Sequence, residues 1–336
     1  MKQVFLFSIV LISYSGIAQS NINDIFAAGV NDAERFTNDY LAPVSEGMIY
    51  SISNGWYNSA KAKPLGGFEI SVIGNMANFK NKNDKKTFVL NTADYENLKF
   101  DDGSVSKIVS SGLGDIEGIQ VYVEGQVGPI TSREDFVLPS GIASENINFV
   151  PSAFLQASVG LIKGIEVKAR FLPKIATDEV AVGFYGLGIQ HEFTSLLPAD
   201  KIWPIAISGV IGYTHLDGTY DFSDTDIIAG ENQKIDTKIN TWTFQAVVST
   251  KLPIINFYGG VGYISGKSET DILGTYIVKS GPFQQQIVDP FSLSKKASGA
   301  SANVGAKLKL GFFRLHADYT LAEFNSLSFG LNFGFR

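Results

Sequence analysis

The sequence predicts an all-β fold, a transmembrane antiparallel β-barrel of 12 to 14 strands with an N-terminal helical plug. Three observations carry this expectation: an apolar, glycine-rich composition with little charge, long runs of period-two alternation, and connections that alternate between long and short. Of 336 residues, 45% are hydrophobic and 18% charged, with 34 glycines, 25 phenylalanines and 13 tyrosines. That balance is unusual for a soluble α/β enzyme and ordinary for a barrel that shows lipid one face. Cysteine is absent from the chain, which excludes disulfide scaffolds, thiolate metal sites, cysteine nucleophiles and a lipoprotein anchor. A net charge of −6 offers no basic face and speaks against nucleic acid as a partner.

The first residues set the compartment. Lys2 supplies a positive start, residues 4–12 an apolar run, and Gly16 and Ala18 the small residues of a cleavage site, so residues 1–18 read as a signal peptide and the mature chain begins at Gln19. The apolar run is broken at Ser13 to Gly16 and is too short for a membrane anchor. Export without a spanning helix leaves strands as the way into a membrane, and the expected location is the outer membrane.

Residues 19–66 are expected to form a helical hatch or plug ahead of the barrel at 67–336. Asp24 can cap a helix whose apolar positions Phe26, Val30, Ala33, Phe36 and Tyr40 recur every three or four residues. Pro43 suits the first turn of a second helix carrying Val44, Met48 and Ile52, with Gly55 as its stop. An aromatic turn, Trp56-Tyr57-Asn58-Ser59-Ala60, follows.

From Gly67 the period changes to two. Leu327, Phe329, Leu331, Phe333 and Phe335 alternate with Ser328, Gly330, Asn332 and Gly334, and the stretches 302–310, 313–321 and 165–171 repeat the pattern. Strands are expected near 67–77, 104–111, 118–126, 151–161, 165–172, 179–191, 203–215, 237–251, 254–265, 300–310, 312–321 and 326–335, with 86–90 and 273–279 as candidates that would raise twelve to fourteen. Long gaps at 78–103, 127–150, 216–236 and 266–299 face short turns at 162–164, 252–253 and 311, the asymmetry of a barrel with short periplasmic turns, long outer loops and both termini in the periplasm. Phe335 gives the last strand an aromatic beside its end, the form that barrel assembly machinery reads. Trp203, Tyr213, Trp242, Tyr263 and Tyr319 suit interfacial girdles.

Helices, an aromatic turn and an even strand series together resemble the long-chain fatty-acid transporter (FadL-type) superfamily, and more closely uncharacterised outer-membrane proteins of Bacteroidota. In those transporters an aromatic-Asn-Pro-Ala motif precedes the first strand; Tyr57, Asn58, Ser59 and Ala60 match it with serine in place of proline. The resemblance implies passage or capture of small hydrophobic compounds with the N-terminal segment as gate, whereas the superfamily's usual fourteen strands exceed the twelve tallied here.

The chemistry of the chain points the same way. His191, His215 and His316 are scattered, with no HExxH pair, no G-x-S-x-G elbow and no dinucleotide fingerprint. His316, Asp318 and Ser328 could share one face and form a hydrolytic relay, a reading set against the polar residues that every barrel lumen carries. Charges of both signs on the expected inner face, Glu69, Glu124, Glu166, Lys168, Arg170, Lys307, Lys309, Arg314 and Asp318, fit cross-strand pairs and bonds to a plug better than an ion-selective field. The expected function is an outer-membrane channel or transporter for small hydrophobic solutes, not an enzyme. Trp56, Tyr57, Asn58, Ser59, Ala60, Tyr122 and Phe154 form the expected gate, no cofactor is expected, and the partners are the bilayer, the assembly machinery and the solute. A structural or adhesive barrel working through its outer loops, and an outer-membrane hydrolase, are the alternatives.

Overall fold

The computed structural model describes residues 22–197 and 203–335; the leader expected over residues 1–18 lies outside them. Ten strands close a barrel: β1 (Phe68–Asn78), β2 (Phe149–Gly160), β3 (Ile165–Ala176), β4 (Val180–Glu192), β5 (Ile205–Asp221), β6 (Ile228–Thr250), β7 (Ile255–Val278), β8 (Phe291–Leu310), β9 (Phe313–Leu321) and β10 (Asn325–Phe335). Each pairs antiparallel with its successor, and β1 bonds both β2 and β10, with Phe68 opposite Val159 and Phe335. Closure removes the free edges of an open sheet, the condition for strands in a hydrocarbon layer, except where the upper parts of β2 and β3 part from each other. One extra strand, Gln286–Val288, adds to β7 outside the ring.

The alternation sorts the faces as expected. On β10, Leu327, Phe329, Leu331, Phe333 and Phe335 are exposed on the outer wall, while Ser326, Ser328 and Asn332 are buried within the lumen. Exposed Trp242, Tyr263 and Tyr319 lie toward one rim with Tyr213, whose ring is 5.0 Å from that of Trp242; Phe68 and Phe335 meet at the other, 5.4 Å apart. An apolar wall between aromatic rims makes this a transmembrane barrel.

The ring has ten strands where twelve to fourteen were expected. The segments expected as strands at 104–111 and 118–126 form Ser106–Ser110, paired with Thr87–Asn91, and Gln120–Val127, paired with Leu98–Phe100 and Ile130–Val137. These small sheets belong to one excursion, residues 79–148, between β1 and β2. Strands of five and eight residues fall short of the roughly nine to eleven needed to span a bilayer, yet Gln120–Val127 alternates like one that does. Of the candidate strand 273–279, residues 273–278 are the far part of β7, which runs for 24 residues; β6 has 23, β8 has 20 and β5 has 17. Much of the expected length of the loops at 216–236 and 266–299 is therefore strand that projects beyond the membrane band.

The plug differs from expectation in two ways. Residues Ile22–Ala28 form a 3-10 turn, and one continuous helix, α1 (Val30–Ser53), runs through Pro43 where two helices were expected. Proline removes one helix donor, and the loss is tolerated because α1 is packed along its length. Residues 22–28 also sit at the loop-bearing end and not on the short-turn side: the Phe26 ring is 4.4 Å from Tyr276, and the Asp24 carboxylate accepts from Thr225 at 2.6 Å. The chain descends through the lumen and turns into β1 at the opposite end. Its upper half shares a core with the excursion and the projecting strands (Phe36, Tyr40, Phe100, Val121, Tyr276), and its lower half is packed within the barrel (Ile49, Ile52, Ile73, Phe154, Ile264).

Candidate functional site

The site is the plugged lumen, and it is built around the lower end of α1. A helix leaves its last carbonyls without internal donors, and here side chains provide them. Asn75 of β1 and Ser152 of β2 donate to the Ser51 carbonyl at 3.1 and 3.2 Å, and Thr243 of β6 donates to Ser53 at 3.3 Å. Arg170 of β3 donates to Ile52 at 2.9 Å and Asn54 at 2.7 Å. Its guanidinium lies 3.5 Å from the Trp56 ring centroid and 4.4 Å from that of Phe154. A cation at the negative end of a helix dipole, stacked on two aromatic faces, is favoured twice over.

Trp56 reaches this position because the wall has no side chains there. A Cβ at Gly212 would lie 2.2 Å from the indole and one at Gly188 2.6 Å, so glycines of β4 and β5 make a shelf on which the ring lies flush. Tyr57 continues the descent, its hydroxyl facing the amide oxygens of Gln245 and Asn303, the latter at 2.6 Å. Asn58 donates to Glu69 at 3.0 Å and to Asn332 at 3.1 Å, and accepts from Lys307 at 2.7 Å. The Asn58 amide thus latches the plug to side chains of β1, β8 and β10. Ser59 and Ala60 are held through their carbonyls by Gln190 at 2.9 and 3.1 Å, and the Ala60 N–H donates to Ser249 at 3.0 Å.

Around Asn58 lies a buried ionic cluster. Glu69 accepts from Lys307 at 3.1 Å and Arg314 at 2.5 Å, while Glu166 accepts from Lys168 at 2.6 Å and Lys63 at 3.0 Å. Buried carboxylates so surrounded are compensated, and removing one would strand several cations. The mixed signs expected of the inner face therefore bind plug to wall.

Two placements depart from the sequence expectation. Tyr122 is not in the lumen: it lies on the outer three-stranded sheet, with Arg133 3.8 Å from its ring centroid, and Glu124 beside it pairs with Lys99 at 3.2 Å. The sheet buries Val121 and Val123 against the plug, which turns the alternate residues outward. Phe154 does face the plug, 5.2 Å from Phe184. Two residues of the hydrolytic alternative have other partners: His316 Nδ1 accepts from Asn332 at 2.9 Å, and Asp318, opposite Ser328 in register, accepts from Tyr258 at 2.8 Å.

The sequence reading missed a cavity of about 330 Å³ between α1 and the wall. Leu41, Val44 and Met48 of α1 form one side, Leu172, Phe184, Leu216, Ile235 and Ile239 the other, and Gly112, Ile142 and Ile147 of the excursion the roof. It borders a seam. β2 and β3 pair only from Gly160 opposite Glu166 to Leu155 opposite Phe171; beyond that, Phe149–Phe154 bond only β1 on the barrel, and the upper part of β3 bonds only β4, across a register shift between Leu172 and Ile175. Pro151 and Pro173 flank the seam and carry no N–H for a ladder. Apolar residues at inward positions, Leu216, Ile235 and Ile239, were the available signal.

Among solved structures, the attachment invasion locus protein Ail of Yersinia pestis aligns over 81% of this chain and all of its own, at 10% identity and a TM-score of 0.26. The translocator domain of the autotransporter NalP from Neisseria meningitidis aligns over 95% of this chain and 99% of its own, at 10% identity and a TM-score of 0.29. The COG4313 outer membrane channel from Pseudomonas putida F1 aligns over 84% of this chain and all of its own, at 10% identity and a TM-score of 0.28. At these values the barrel assignment stands on register and face polarity alone. No curated protein matches. A family model described as a family of unknown function (DUF6588) matches residues 1–335.

Proposed function

The chain belongs to this family of unknown function, DUF6588, and we propose that it is an outer-membrane barrel that takes up small hydrophobic solutes, with residues 19–66 gating the lumen. The observation that carries the reading is the apolar cavity between α1 and the wall, next to the unpaired seam of β2 and β3. A preformed apolar pocket of this size suits a small molecule. The seam offers a way between pocket and bilayer, and the ionic cluster around Asn58 bars the direct way down the lumen. Opening that lower path requires Trp56 to Ala60 to leave their partners. The motif formed by Tyr57 to Ala60 lies where the resemblance to fatty-acid transporters puts its gate, although ten strands depart from that superfamily's fourteen.

Filling the cavity tests the proposal. Leu216→Trp should lower uptake of a labelled aromatic hydrocarbon into expressing cells about tenfold, as expected for a ligand site that loses its volume, with the barrel still folded by heat-dependent gel mobility. Unchanged uptake by the folded variant would refute it.

A further inference from the structure

We infer that the cavity accepts an uncharged molecule of roughly ten to fifteen carbons bearing at most a hydroxyl or carbonyl, and excludes carboxylates; this rests on the proposed solute-binding role of the same cavity. Among the described residues that line it there is no Asp, Glu, Lys, Arg or His. Its polar groups are hydroxyls, Ser45 and Thr219 among them, and Thr237 and Thr270 face each other at 3.1 Å.

The lumen has cations enough to attract an acid, but all are committed. Arg170 is spent on the carbonyls of Ile52 and Asn54 and on Gln156, and is covered by Trp56 and Phe154. Lys168 and Lys307 are bound to Glu166 and Glu69. A carboxylate in the cavity would therefore lose its water without gaining a counter-charge, the costliest form of burial. A neutral chain or ring pays nothing of the kind, and a single hydroxyl finds partners. Size follows from volume: about 330 Å³ is roughly twice the 150 Å³ of a dry cavity that holds benzene.

The test uses the full-length protein in mild detergent and a matched pair of labelled probes, 1-dodecanol and dodecanoate, at a pH where the acid is ionised. The wild type should bind the alcohol at least about thirtyfold more tightly. Met48→Lys puts a cation on the cavity side of α1 and should raise dodecanoate affinity about tenfold while weakening the alcohol; Met48→Trp should weaken the alcohol by filling space and leave the acid unbound. If dodecanoate binds the wild type as tightly as dodecanol and Met48→Trp abolishes both, neutrality is refuted while the cavity remains a hydrophobic site. If neither probe binds, or binding ignores both substitutions in folded protein, the solute-binding reading fails as well.

Discussion

Arg170 shows how much a single inward residue decides. On sequence it is one of several charges on an inner face; in the fold it closes the end of α1, with no carboxylate among its hydrogen-bond partners and two helix carbonyls in their place. Arg170→Met keeps volume and removes the donors, so each abandoned carbonyl should cost about 1–3 kcal/mol. The expected outcome is a lower unfolding midpoint and faster protease cleavage within residues 22–66. Arg170→Lys should rescue only partly, because one ammonium cannot reproduce the planar fork. A variant as stable and as protected as the wild type would remove the latch role. Asn332 makes the same point: register marks it as an ordinary inward polar residue, yet its amide joins the plug through Asn58 to the wall through His316.

At the scale of elements, β10 and α1 obey different solvents. The outer positions of β10 face lipid, so Leu331→Arg near mid-membrane should cost about 2–4 kcal/mol and impair assembly. Ser328→Ala on the inner face removes a buried hydroxyl that stands opposite Asp318 and should cost no more than about 1 kcal/mol. Unfolding in lipid vesicles measures both, and equal tolerance would contradict the face assignment. Helix α1 is packed within the lumen and tied to its surroundings. Above, Asp32 accepts from the N–H groups of Glu96, Asn97 and Leu98 at 2.7–3.1 Å, and Tyr40 donates to Ser140 at 2.5 Å. Deleting residues 24–54 should raise single-channel conductance in planar bilayers well above that of the intact protein. Unchanged conductance in a folded barrel would show that the segment does not block the path.

The whole molecule is polar along its axis. The turns 161–164, 251–254 and 311–312 stand at one end, and the excursion 79–148 and the turn 279–290 at the other. If the loop-bearing end faces outward, an epitope tag at Gly281 will be labelled on intact cells and one at Lys163 only after permeabilisation. The reverse result would invert the barrel in the membrane. The same axis separates the lumen into an uncharged upper chamber beside α1 and a charged lower layer around Asn58, so the proposed solute site and the Asn58 network occupy different levels.

Much of this fold was legible in the sequence because its rules are local. Alternation along 326–335 fixes which residues meet lipid, the three- and four-residue spacing of 26–52 announces a helical plug, and Trp56 to Ala60 stand out as a break between the two. Strand number was not legible, since residues 106–110 and 120–127 read as strands and only pairing reveals that they join other segments of the excursion and not the ring. Nor was the direction in which α1 enters the barrel, because apolar spacing is the same for either direction until Phe26 meets Tyr276 and the Ser51 to Asn54 carbonyls meet donors from the wall. Tyr122 was misplaced because its strand was counted in the ring and not in the outer sheet, and the cavity went unseen. Local periodicity determines which face of a segment is buried, but what it is buried against depends on contacts between residues a hundred or more positions apart, and those exist only once the ring has closed around the plug.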